Sequence, residues 1–257
     1  MGTENLLRNI KVLYVEDEPI TRNQVSKILK KSVGKLITAE NGKEGIEKFF
    51  EYQPDIIITD LIMGDISGIE MMEKLRAEGI RCPFIITSAI SDSQTILETV
   101  ELKIEKYLIK PIDVGILIEN LTQIAIELLE KTEDLLIVNK DFILVGDKKN
   151  ELELEIRNLY SKYLKKVIGK GAKLISVFIN GREVEILLKQ TLTTLEENLL
   201  ATGQHYKLIE IIRKSIYENT LHEFASEISC LIDRKIEIKK IEIYPKEKFE
   251  RVILQIK

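Results

Sequence analysis

The sequence has no tryptophan, two cysteines, two histidines and five prolines, and each scarcity closes off a class of protein. Cys82 and Cys230 lie in different halves without metal spacing, so both read as reduced structural residues. His205 and His222 have no partner ligands and read as surface or helix residues rather than catalytic ones. No apolar run approaches the roughly 20 residues a membrane span needs. The first residues, MGTENLLRNIKVLYV, lack the pattern of a signal peptide, and Leu6 spoils the myristoylation motif that Gly2 would begin. A cytoplasmic protein without a membrane span is expected.

What is present is a chain of 257 residues, 44% hydrophobic and 31% charged. That is enough for about two domains of ordinary size. The formal charge of -4 is unevenly spread. Up to Lys131 there are 16 basic and 22 acidic residues, net -6; beyond it there are 22 and 20, net +2. Neither half carries the basic field that attracts nucleic acid or anionic lipid, so nucleic acid is not expected as a partner.

Residues 10–131 alternate strand and helix five times. Ile10–Val15 is a continuous apolar run, the mark of a strand buried on both faces. A helix follows from Pro19, where proline is tolerated in the first turn, and Gly34 closes it. Further strands are expected at Lys35–Ala39, Asp55–Thr59, Phe84–Thr87 and Lys106–Ile109. Helices are expected after Asn41-Gly42, over Ile69–Glu78, over Ser93–Leu102, and from Pro111 onward. Five such units argue for an open, doubly wound parallel sheet covered by helices on both faces.

In sheets of this kind the polar site gathers beyond the carboxyl ends of the strands. Strand one ends in Glu16-Asp17-Glu18, strand three in Asp60, strand four in Thr87-Ser88 and strand five in Lys110. Each residue alone could be a turn or cap residue. Together they place acids, a hydroxyl and a cation on one rim. Clustered carboxylates repel unless a cation joins them, and hard oxygen ligands suit Mg2+. A carboxylate is also a competent nucleophile toward phosphorus. The first half has no glycine-rich phosphate loop, so a phosphoryl donor must come from outside.

Residues 10 to about 130 resemble the CheY-like receiver domain of bacterial two-component response regulators, a flavodoxin-like (βα)5 fold. The resemblance rests on "VLYVEDE", Asp60 in "IIITDLIM", Gly68, "PFIITSA" with Ser88, and "KYLIKP" with Tyr107 and Lys110. It implies Asp60 as phosphoacceptor. It implies Glu16, Asp17, Asp60 and the main-chain carbonyl of Ile62 as magnesium ligands, and Ser88, Tyr107 and Lys110 as the residues that sense the phosphoryl group. A sensor histidine kinase is the implied donor, and no other enzymatic activity is expected. The chain departs from the family where Gly64 replaces the usual proline after Met63, where "DISG" replaces the commoner Met-Asp-Gly, and where a glycine is missing before strand five.

The helix after Pro111 carries Val114, Leu117, Leu121, Ile124 and Leu128 on one strip and Ile118, Ala125 and Leu129 on a second. One strip must cover the sheet, and the other makes a homodimer through this helix an expectation. Leu135–Val138 and Phe142–Val145 flank Asn139-Lys140-Asp141 and read as a short hairpin. The domains are therefore drawn at 8–131 for the receiver, 132–147 for the connector hairpin and 148–257 for the output or partner-binding module.

The last segment reads α-β-β-α-α-β-β, an α+β layer domain. Glu151–Ile168 is amphipathic, with glutamates early and lysines late. Gly181-Arg182 joins two strands in a tight hairpin, and Thr193 or Thr194 is available to cap a helix. A long helix over His205–Leu231 precedes Lys235–Tyr244 and Glu250–Ile256. No recognition-helix pair, zinc spacing, nucleotide loop or nucleophile elbow occurs here. Lys239-Lys240, Lys246 and Lys248 read as solvated faces. The stretches "YLKKVIGKGAKLISVFINGREVEILLKQTLTTLEENLL" and "EFASEISCLIDRKIEIKKIEIYPKEKFERVILQI" resemble an MpsC-like family, formerly a domain of unknown function. That resemblance implies an output module binding a protein partner not yet identified. A transcriptional regulator with an unrecognised DNA-binding element and an output domain with its own enzyme activity are the rival readings.

Overall fold

The computed structural model describes residues 6–89, 104–131, 147–201 and 203–257. The chain divides into two compact units, Met1–Phe142 and Ile143–Lys257.

In the first unit, β1 (Lys11–Val15), β2 (Lys35–Ala39), β3 (Ile56–Asp60), β4 (Phe84–Ser88) and β5 (Lys106–Ile109) form one sheet in the order β2-β1-β3-β4-β5. Every pairing is parallel. This is the flavodoxin-like doubly wound order, whose ligand crevice lies where the winding reverses, beyond β1 and β3. All residues of β1, β3 and β4 are buried, which is why their sequences are unbroken apolar runs rather than alternating ones.

Helices α1 (Pro19–Ser32), α2 (Gly42–Tyr52), α3 (Gly68–Ala77) and α4 (Val114–Lys131) cover the sheet. Val25 and Leu29 of α1 share one core cluster with Leu117, Leu121, Ile124 and Ala125 of α4. Phe49 of α2 and Met71, Met72 and Leu75 of α3 share the other. The two apolar strips anticipated on α4 are thus largely one buried face: Ile118 and Leu128 also pack against that cluster. Among the described side chains of this helix, Ile116 is the exposed large apolar one, at 49%. The helix anticipated over Ser93–Leu102 lies outside the described residues.

Local chemistry sets the helix ends. Glu18 accepts hydrogen bonds from the amides of Ile20 and Thr21 and caps α1, so it is a capping group and not a third acid of the strand-one rim. Asn41 caps α2, which ends at Gln53 in the left-handed region (φ 45°). Ser67 and Glu70 form a reciprocal capping box at the start of α3.

In the second unit, α5 (Asp147–Ile168), β6 (Leu174–Asn180), β7 (Glu183–Lys189), α6 (Thr194–Leu200), α7 (Tyr206–Ile232), β8 (Ile236–Tyr244) and β9 (Phe249–Ile256) follow in the anticipated α-β-β-α-α-β-β order. The antiparallel sheet runs β6-β7-β9-β8. Thr193 caps α6 and forms a capping box with Glu196. His205 and His222 are exposed, as is Cys230. The connector hairpin at Leu135–Val138 and Phe142–Val145 lies outside the described residues.

The core of this unit joins aromatic rings to a buried ionic cluster. Tyr160, Tyr163, Tyr217 and Phe224 pack ring against ring, with Tyr160 edge-on to Phe224 at 4.8 Å. Arg213 on α7 is fully buried and donates to Glu196 (2.5 Å), to Glu250 (3.1 Å) and to the Thr191 carbonyl (2.9 Å). Tyr217 and Thr191 also donate to Glu250. No spacing in the sequence announces this cluster, because its members come from four separate segments.

Candidate functional site: an acidic crevice with one lysine

At the carboxyl ends of β1 and β3, Glu16, Asp17 and Asp60 bring carboxylate oxygens within 4.8 Å of one another. Glu16 is buried, Asp17 exposed and Asp60 nearly buried. Lys110, just past β5, reaches across with its ammonium 2.9 Å from both Glu16 oxygens and 2.5 Å from Asp60 Oδ2. The Lys110–Pro111 peptide is cis. Burial raises the Glu16 pKa above the ordinary glutamate value, and the Lys110 contacts only partly oppose this. For Lys110, burial works against the charged form, but bonds to Asp60 and Glu16 outweigh it and hold the ammonium above its ordinary pKa. Among the described residues, one ammonium stands against the three clustered carboxylates, a hard oxygen donor set that fits a divalent cation such as magnesium.

The loop after β3 is set by a close approach. A Cβ on Gly68 would lie 2.2 Å from the Asp60 carbonyl oxygen and 3.1 Å from Thr59 Cγ2. Only glycine fits there. The Gly68 amide also donates to the Leu61 carbonyl at 3.0 Å, and the Ile62 amide donates to Asp60 Oδ1 at 3.3 Å. At Gly64, by contrast, a Cβ would meet nothing within 4 Å.

Ser88 is buried at the end of β4, and its carbonyl accepts from the Lys110 amide at 2.8 Å. Tyr107 pairs in register with Ile86, two residues before Ser88, and packs against the core cluster on the α2 and α3 side. Glu16, Asp17, Asp60 and Lys110 form one cluster at the rim, and Ser88 and Tyr107 lie on the neighbouring strands β4 and β5.

Two further residues shape the crevice. Tyr14 is fully buried on β1, and its hydroxyl donates to Glu16 Oε2 at 3.1 Å. Burial and then the Glu16 charge push its pKa far up, so it stays a donor. The signal was legible: a hydroxyl inside an apolar run, two residues before an acid and so on the same strand face. Arg22 on α1 donates to the carbonyls of Glu16 (2.7 Å) and Asp17 (3.1 Å), and to Glu40 Oε1 (2.9 Å). It pins the acidic loop, and nothing in its sequence setting pointed to that.

A family model for the response regulator receiver domain matches residues 12–122. A model for the Na+-translocating membrane potential-generating system (MpsC) matches residues 148–256. The chemotaxis protein CheY of Listeria monocytogenes is 26% identical over 117 residues, which cover 45% of this chain and 98% of that protein. A cyclic di-GMP phosphodiesterase of Thermotoga maritima is 31% identical over 106 residues, 41% of this chain. This chain spans only 28% of that protein's length. Among solved structures, the N-terminal domain of an uncharacterized protein from Wolinella succinogenes is 34% identical, with 48% of this chain and 98% of that one covered and a TM-score of 0.46. No helix among the described residues is long and apolar enough to cross a membrane. Residues 12–122 of this chain belong to the response regulator receiver family, and residues 148–256 belong to the MpsC family.

Proposed function

We propose that the chain is a phosphorylation-dependent switch in which Asp60 takes a phosphoryl group from a phosphohistidine on a sensor histidine kinase. The observation that carries this reading is the convergence of Glu16, Asp17 and Asp60 within 4.8 Å beside the Lys110 ammonium. An Asp60 carboxylate oxygen forms the new P–O bond while the donor P–N bond breaks and its electron pair leaves with the imidazole nitrogen. Magnesium bound by Glu16, Asp17, Asp60 and the Ile62 carbonyl would neutralise charge on the transferring group.

Lys110 holds Asp60 and Glu16 in the unphosphorylated state. Once the Asp60 carboxylate has become an acyl phosphate, Lys110 pairs with a phosphoryl oxygen instead, and the Ser88 hydroxyl donates to the same group, with Tyr107 following. Binding energy available only to the phosphorylated form shifts the balance between two receiver conformations. The change passes to the module at 148–257, which binds a protein partner. A homodimer through α4 would have to use its outward side around Ile116, because Leu117, Leu121 and Ile124 are taken up by the core.

The test is intact mass and light scattering with acetyl phosphate and magnesium, on wild type and Asp60→Asn. Wild type gains one phosphoryl group and Asp60→Asn gains none. Quantitative phosphorylation of Asp60→Asn would overturn the assignment.

A further inference from the structure

Within the second unit lies a cavity of about 410 Å³ lined by Lys170, Lys173, Gln190, Leu192, Glu197 and Lys248 among others. That volume is in the range of small-molecule sites, about 300–1,000 Å³. Four separate stretches build it: the turn after α5, the segment after β7, the helix α6 and the turn between β8 and β9. Main-chain bonds lock them together. The Lys173 amide donates to the Lys189 carbonyl at 3.0 Å, and the Gln190 amide donates to the Lys248 carbonyl at 2.9 Å. Gln190 and Lys248 both hold left-handed backbone, φ 53° and 58°, a conformation that costs energy for residues other than glycine. Lys170 is anchored on the Leu192 carbonyl and pairs with Glu197 at 3.3 Å.

The charge balance is one-sided. Glu197 answers Lys170, while Lys173 and Lys248 have no acidic partner among the described residues. Two uncompensated ammonium groups at a concave surface concentrate positive potential there. They are compact point charges and not guanidinium forks, the form in which lysine binds phosphate. The nearly buried Leu192 supplies an apolar wall beside them. We propose that this cavity binds a small phosphorylated ligand, with Lys173 and Lys248 holding its phosphoryl oxygens. Lys173 and Lys248 are both exposed, Lys248 in a solvated turn as the sequence suggested, so their ammonium groups are open to such a ligand.

The proposal does not depend on phosphotransfer to Asp60, and its test keeps the two apart. Pyrophosphate and ATP are titrated calorimetrically into the full chain in EDTA, for wild type, Asp60→Asn and Lys173→Ala/Lys248→Ala. Saturable binding by wild type and Asp60→Asn alike, weakened at least tenfold in the double variant, supports the site. Tighter binding of ATP than of pyrophosphate names a nucleotide as the source of the phosphate, and equal binding names the bare anion. No saturable binding, or binding that the double variant leaves unchanged, overturns it. A ten-residue polyglutamate peptide that binds as tightly as either phosphate also overturns it, by assigning the cavity to an acidic polypeptide.

Discussion

Tyr14 is not one of the charged residues of the rim, yet its buried hydroxyl donates to Glu16 and its role is open to a direct test. Among the described residues its hydroxyl is the neutral side-chain donor on Glu16, beside the Lys110 ammonium. Without it, the buried carboxylate loses a partner in a place where water cannot easily substitute. Groups that orient a metal ligand are worth roughly 10- to 100-fold in metal affinity. Tyr14→Phe, which keeps the ring and its packing, is therefore expected to weaken magnesium binding about tenfold, read by isothermal titration calorimetry. An unchanged affinity would make Tyr14 a packing residue only. At this scale the acids and Lys110 were legible because each ends an apolar strand. Arg22 was not, because its guanidinium reaches two carbonyls and Glu40 through a fold that brings α1 back over the β1 rim.

Among the elements, the loop from β3 to α3 couples Asp60 to a helix start. Gly68 is both the first residue of α3 and the neighbour of the Asp60 carbonyl. Gly68→Ala puts a methyl group against main chain rather than against a yielding side chain. Overpacking of that kind costs about 1–3 kcal/mol. The expected outcome is a loss of that size in urea unfolding of the first unit, with slower phosphorylation by acetyl phosphate because Asp60 is displaced. A variant that unfolds and reacts like wild type would mean the loop yields freely. The element boundaries themselves follow local chemistry. Pro19 at the first turn and the Asn41-Gly42 turn before α2 could be read directly from the chain, whereas Asn41 as a cap and the Ser67–Glu70 box are set by the loop geometry. On α4, Ile118 and Ala125 of the second strip join the first in one core cluster, since periodicity cannot say how wide a face a sheet will cover.

For the molecule as a whole, the second unit carries a pH sensitivity of its own. Burial works to raise the Glu196 pKa, but the bonds from Arg213 and Thr193 outweigh it and hold the carboxyl below the ordinary glutamate value. Glu242 is held down in the same way by Lys240 and Arg251. A depressed folded-state pKa contributes stability above the unfolded value, and that contribution disappears as pH falls through the folded one. Glu196→Gln is accordingly expected to cost about 3 kcal/mol near neutrality, since it leaves the buried Arg213 short of a partner. In calorimetric melts the gap between wild type and variant should close as pH falls below about 4. A constant gap across that range would show that Glu196 acts by shape and not by charge. The chain's own order of residues determined the parallel alternating unit, the α+β unit after it and the rim on which the acids meet. Strand burial and strand-end position are local properties that hydrophobic period and turn residues already encode. Tertiary structure alone decided the Arg213 cluster, the Arg22 clamp and the lysine-lined cavity. Each joins side chains from separate segments, and their distances are set by packing, which no local pattern records.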